Sequence, residues 1–119
     1  PILYRPQQSW KEARPIPGTI FAPDDGLLGE GQLADCWAVV THHGNTGLDA
    51  LIAGVPVFTS DGIASALASA DLAAIETPRY PDEAQRDQLL YDAAYTQFKV
   101  AEIADGTAWA HLRNENLVP

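Results

Sequence analysis

The groups best placed to do chemistry in this chain are concentrated in His42-His43-Gly44-Asn45-Thr46-Gly47-Leu48-Asp49. Two imidazoles, a hydroxyl and a carboxylate surround a Gly-Asn turn. Gly and Asn tolerate the left-handed backbone that a sharp turn needs. Thr46 opens a predicted helix, and Asp49 three residues later makes a capping-box-like pair, with Asp in place of the usual Glu. A helix N-terminus carries unpaired N–H groups and a partial positive charge. A small-residue turn lets a phosphate approach the backbone closely. The chemistry offered is anion binding, of a phosphate or a nucleotide. Every strand-to-helix turn needs a cap and small residues, so the pattern is not specific by itself.

The elements that must position this turn are legible on both sides of it. Trp37 to Val40 is an apolar, β-rich run of the kind a strand buried on both faces shows. Leu48, Leu51 and Ile52 give the following helix an apolar face. Gly54 stops it, and Pro56 stands near the start of a second strand, Val55 to Thr59. Ligands of open α/β sheets bind at the carboxyl ends of the strands, where this turn lies.

The rest of the chain continues the alternation. Ile2 to Arg5 and Gly18 to Ala22 read as strands, separated by a turn at Pro6 and a break at Pro15 and Pro17. Asp24 or Asp25 caps a predicted helix over Leu27 to Cys36, and Asp24 is also a candidate to meet a ligand hydroxyl at a strand end. Ile63 to Ala70 reads as a small-residue helix, packed closely or held near a ligand. Leu72 to Thr77 reads as an edge strand. From Asp82, an N-cap, the chain turns helical. Leu90, Tyr91, Ala94, Tyr95 and Phe98 form one stripe at helical spacing. Gly106 breaks the segment, and Thr107 to Arg113 makes a last helix anchored by Trp109. This order predicts an α/β fold: a Rossmann-like, mainly parallel sheet of about four or five strands flanked by helices, with C-terminal helices packed on it. Residues 1–78 would form the βα core and 79–119 a C-terminal helical segment of the same domain.

Composition narrows the partners. The 119 residues, 46% of them apolar, suffice for one folded domain. Seven basic against sixteen acidic residues give a net charge of −9. No Lys or Arg occurs between Pro15 and Pro78, which argues against nucleic-acid backbone as a partner. A phosphate at Thr46 would therefore be held by backbone N–H groups, hydroxyls, His42 or His43, or by Arg5 arriving from another strand. No P-loop is present. The single cysteine, Cys36, excludes an internal disulfide, favours a reducing, cytoplasmic setting and reads as a core thiol. His42, His43 and His111 form no metal-ligand set, and no cofactor is expected. No apolar run reaches the ~18 residues of a membrane span. There is no Met and no visible signal peptide, so the chain is expected to be trimmed or a piece of something larger.

The run His43-Gly-Asn-Thr-Gly-Leu-Asp-Ala-Leu51 with Gly54-Val-Pro-Val57 resembles the donor-binding segment of GT-B glycosyltransferases. In that family a His-Gly turn, a Ser or Thr, an acidic residue three later and a Gly-x-Pro-x strand recur. The resemblance is nearest to bacterial capsular-polysaccharide transferases of the Kdo type and related phage-encoded proteins. Tyr4-Arg5-Pro6 before Ser9-Trp10, and the tail from Tyr95 to Trp109, are similar to segments of the same proteins. The resemblance implies that Gly44, Asn45 and Thr46 hold donor phosphate, His43 bonds the phosphate or sugar, Asp49 faces the ribose and Arg5 neutralises charge. Gln7 and Gln8 replace the family's His-Pro. It further implies that residues 1–78 are the nucleotide-sugar-binding core of a C-terminal half whose acceptor site and general base come from an N-terminal partner domain, with catalytic residues unassigned. A non-catalytic nucleotide-binding or protein-interaction module derived from such a half is the alternative.

Overall fold

The structure, a computed structural model, describes residues 1–7, 10–22 and 30–118. Four short strands and five helices are present among them: β1 (Ile2–Tyr4), β2 (Thr19–Phe21), α1 (Glu30–Ala34), β3 (Val39–Val40), α2 (Asn45–Ile52), β4 (Val57–Phe58), α3 (Glu83–Tyr95), α4 (Val100–Ala104) and α5 (Thr107–Asn114). Two single-turn 3-10 segments, Ile63–Ala66 and Leu72–Ala74, lie between β4 and α3.

The expected four- or five-stranded Rossmann-like sheet is not formed. The strands make two separate parallel pairs, β1 with β2 and β3 with β4. Local chemistry accounts for the difference. The run Leu72 to Thr77, expected to be an edge strand, is drawn into a 3-10 turn because the Asp71 carboxylate accepts the Ala73 N–H at 2.9 Å. The expected helix Ile63 to Ala70 ends after one turn, and Ser69 instead joins the edge of β4 through a parallel bridge. There the Ser69 N–H donates to Val57 O and its carbonyl accepts from Thr59 N, each at 3.0 Å. The β1–β2 pair exposes Leu3 and Ile20, which are register partners and share a face. No buried apolar face drives that pair onto β3.

The core lies under α2. Leu33 of α1, Ala50 and Leu51 of α2, Val55, Val57 and Ala64 form one buried cluster, with Cys36, Val39 and Leu89 packed against it. Cys36 is thus packing material, its thiol donating to Gln32 O at 3.3 Å. The buried face of α2 is Gly47, Ala50 and Leu51, while Ile52, expected on that face, is largely exposed. The helix ends in a Schellman motif: Val55 N–H donates to Ala50 O and Gly54 N–H to Leu51 O, with Gly54 at φ 77°.

α3 begins with a full capping box between Asp82 and Gln85. Its inward side is Arg86, Leu89 and Ala93, so the expected stripe is displaced and Tyr91 and Tyr95 face outward. In the last helix Ala108, not Trp109, is the buried residue. His111 packs edge-on against the rings of Tyr95 and Phe98, with centroids 4.9 and 5.5 Å away. Among the described residues no helix is long and apolar enough to cross a membrane.

Candidate functional site at the carboxyl ends of β3 and β4

β3 and β4 run parallel, with Val39 N–H donating to Pro56 O at 2.9 Å and Thr41 N–H to Phe58 O at 3.0 Å. Both chains leave the pair at the same end and turn sharply. After β3, residues 42–44 turn into α2. After β4, residues 59–62 turn into the first 3-10 segment. The candidate site is the surface made by these two turns.

Gly44 is the N-cap of α2, at φ 123° and ψ 175°, a conformation that a side chain would strain. It offers no side chain, and no side-chain bond caps the helix. The first turn contains no acidic residue. Thr46 is therefore the second helical residue rather than the cap, and the expected Thr46–Asp49 capping box does not form. The consequence is a helix N-terminus with no side-chain cap, whose leading residues Gly44 and Asn45 are exposed.

The turn is braced by a residue that the sequence reading passed over. Thr59 is 6% exposed, and its hydroxyl donates to the carbonyl of His42. The same oxygen accepts the Asp61 N–H at 3.3 Å. One buried hydroxyl thereby ties the turn after β3 to the turn after β4. Thr59-Ser60-Asp61 has the pattern of a Thr hydroxyl bonded to the N–H two residues on, and that signal was available in the sequence. Gly62 completes the brace: at φ 80°, it lies so close that an added Cβ would stand 3.6 Å from His43 Cβ and 3.7 Å from Gly44 N. Asp61 directs a carboxylate oxygen onto the Gly62 N–H at 2.7 Å.

The sequence-derived residues distribute as follows. His43, Gly44, Asn45 and Thr46 are consecutive in this turn, with His43, Gly44 and Asn45 exposed and Thr46 half-buried. The rings of His42 and His43 meet edge to face, 4.8 Å between centroids. Asp49 is exposed, one helical turn further along α2. Arg5 follows β1, in the other strand pair, and its guanidinium donates to Gln32 Oε1 at 3.3 Å. Asp24 lies outside the described residues. Gly47, part of the motif run, has a packing role: a Cβ there would stand 2.9 Å from Ala64 Cβ.

Beside the turn is a cleft of about 330 Å³. Val40, Phe58, Ala70 and Leu72 line it together with Thr41, His42, Thr59 and Ser60. Of the expected site residues that are described, Arg5, His43, Gly44, Asn45, Thr46 and Asp49 do not line this cleft, whereas His42, the alternative phosphate ligand to His43, does. Among the described residues no group of three or more His, Cys, Asp or Glu side chains could hold a metal ion.

No protein-family model, curated protein or solved structure matches this chain.

Proposed function

We propose that the chain binds a nucleotide or nucleotide-sugar, with its phosphate on the open N-terminus of α2, as a glycosyltransferase-like donor-binding module. The observation that carries this reading is the uncapped first turn of α2 behind Gly44, exposed and free of acidic residues. Such a terminus supplies oriented N–H groups and positive potential to an anion. His43 and the Thr46 hydroxyl flank it and would add hydrogen bonds to phosphate oxygens. Asp49, further along the same helix, would meet a sugar hydroxyl. Transfer of the sugar would need a general base and an acceptor site from a partner domain. The setting would be the reducing cytoplasm, in keeping with one unpaired thiol.

The test is a thermal-shift titration with CMP, UDP, GDP and their sugar conjugates. A ligand that binds only the folded state stabilises it by about 2.7 kcal/mol at a hundredfold excess over Kd. One nucleotide class is expected to raise the melting temperature, and Thr46→Val to remove that shift while leaving the unliganded melting temperature near its starting value. Equal binding by Thr46→Val would take that hydroxyl out of the site, and no shift with any nucleotide would reject the reading.

A second reading, a protein-interaction module without catalysis, is favoured by the uncovered face of the β1–β2 pair. Parallel sheets are ordinarily buried on both faces, yet Leu3 is 56% and its register partner Ile20 55% exposed.

A further inference from the structure

α3 meets the rest of the molecule by one side only. Leu89 packs on the core cluster, Ala93 is buried, and Arg86 reaches the end of α2. At about 100° per residue, Tyr91 stands across the helix from Leu89 and Ala93. Asp87 and Tyr95, four residues to either side of Tyr91, share its side. All three are exposed, Tyr91 at 71% and Tyr95 at 52%. Tyr95 is nonetheless held in place. The His111 ring meets it edge-on, 4.9 Å between centroids. Desolvation, and after it the charge of Glu115 and a hydrogen bond donated to that carboxylate, raise its phenol above the ordinary 10.0. A ring fixed in advance loses little rotamer freedom when a partner covers it. The charge of this side has one sign. Between Arg86 and Lys99 the only charged residues are Asp87 and Asp92, and Arg86 donates to the carbonyls of α2.

We propose that the outer side of α3 docks a basic amphipathic helix of a partner protein, with arginines one turn apart laid over Tyr91 and Tyr95 and paired with Asp87. The proposal uses no residue of the α2 terminus and stands whether or not a nucleotide binds there. Charge selects the occupant. A second copy would bring another −9 to a negative surface, and an anionic lipid surface would be repelled in the same way. A cationic helix is attracted by the carboxylates and by the negative faces of the two rings. Spacing selects it further. Residues four apart on a helix are about 6 Å apart along its axis, so two cationic side chains at i and i+4 of a helix lying alongside α3 match the two tyrosines. Arginine fits better than lysine, because its planar guanidinium stacks on an aromatic face and is more weakly hydrated than an ammonium.

The experiment titrates the full chain, by fluorescence anisotropy, into three labelled synthetic helices of equal length. Each is alanine-rich with leucines on one side, and carries arginine, lysine or glutamate at i, i+4 and i+8. The arginine helix is expected to bind, the lysine helix less tightly, and the glutamate helix not at all. Tyr91→Ala should weaken the arginine helix by about fivefold or more, the scale of a cation–π contact. Tyr91→Phe keeps the ring and should restore the affinity. Asp87→Asn should weaken it by about twofold to fivefold, as loss of an exposed ion pair does. Glu76→Gln removes an equal charge from the exposed chain between the second 3-10 segment and α3, and should change nothing. Positions 87 and 91 are exposed, so the melting temperature should stay near its starting value in each variant. Equal losses in Asp87→Asn and Glu76→Gln, with Tyr91→Ala silent, would reduce the binding to diffuse attraction and overturn the proposal. Glutamate-helix binding as tight as that of the arginine helix would overturn it too, since charge would then play no part. So would an arginine helix that fails to bind at about 1 mM, a free energy of only roughly −4 kcal/mol. Self-association of the chain at neutral pH that Tyr91→Ala abolishes would make a second copy the occupant and equally overturn it.

Discussion

Single atoms decide how the turn after β3 is held. A buried hydroxyl normally costs stability unless it is bonded. Thr59 is bonded as donor to His42 O and as acceptor from Asp61 N–H, so its burial becomes a clamp between two turns. Gly47 shows the same economy in packing. Alanine is favoured over glycine inside a helix by roughly 1 kcal/mol. Here a new Cβ would stand 2.9 Å from Ala64 Cβ and 3.3 Å from Thr41 Cγ2. Overpacking of a close core typically costs about 1–3 kcal/mol, more than the propensity gain. Gly47→Ala is therefore expected to destabilise the protein by about 1 kcal/mol or more in urea unfolding. Adding Ala64→Gly should recover most of that loss, because it removes the atom that is struck. Two independent, additive losses would show that the contact is not what makes Gly47 necessary.

At the scale of elements, one arginine ties α3 to the end of α2, beside the packing of Leu89 on the core. The last carbonyls of α2 carry partial negative charge, and no basic residue occurs in its last turn. Arg86, from the first half of α3, donates from one guanidinium nitrogen to Leu51 O and Ile52 O, each at 3.2 Å. Bonds from a charged donor contribute roughly 1.5–3 kcal/mol. Arg86→Ala is expected to lower stability on that scale and to speed amide exchange in residues 50–55, which include the Schellman turn. An unchanged exchange pattern would mean that α3 is not anchored there. A second element depends on pH. The N-cap of α5, Gly106, has no side chain, and Asp105 serves instead, accepting Thr107 N–H at 2.9 Å. Bonds from the Thr107 side chain and backbone hold the Asp105 carboxyl below its ordinary 3.8. A carboxylate whose folded pKa is depressed contributes stability that is fully present above the unfolded value and is lost as pH falls through the folded one. Protection of the Thr107 amide should accordingly persist well above pH 4 and fade below it. In Asp105→Asn that acid-dependent step should disappear.

Over the whole molecule, apolar surface and charge oppose each other. The radius of gyration is 16.8 Å, against about 13–14 Å for a compact chain of this length. Trp37, Val100 and Ile103 are among the large apolar residues more than half exposed. A net charge of −9 keeps such surfaces apart at neutral pH, and the isoelectric point near 4.4 marks where that repulsion vanishes. Light scattering is expected to find the smallest species at pH 7–8 and low salt, with association rising as pH approaches about 4.4. Association that is stronger at pH 8 than near the isoelectric point would show that specific docking, rather than loss of charge, governs the exposed surface.

Much of the local structure was determined by sequence alone, since its causes are local. The Asp82 cap, the stops at Gly54 and Gly106, four of the five strand runs and a sharp turn before α2 follow from backbone preferences and short-range hydrogen bonds. The Gly-Asn turn and its neighbours were legible as an anion-binding candidate for the same reason. Sheet assembly was not, because strand pairing is a competition between distant partners. Asp71 turned one expected strand into a 3-10 segment, and Ser69, expected in a helix, took a single bridge position on β4 instead. Tertiary structure alone set the outward face of α3, where Arg86 reached for the end of α2 and turned Tyr91 and Tyr95 to solvent. It also decided what surrounds the turn. The clamp of Thr59 on His42, the packing of Gly47 on Ala64 and the cleft behind Phe58 join residues distant in the chain, and no periodicity in a single sequence encodes which distant atoms will meet.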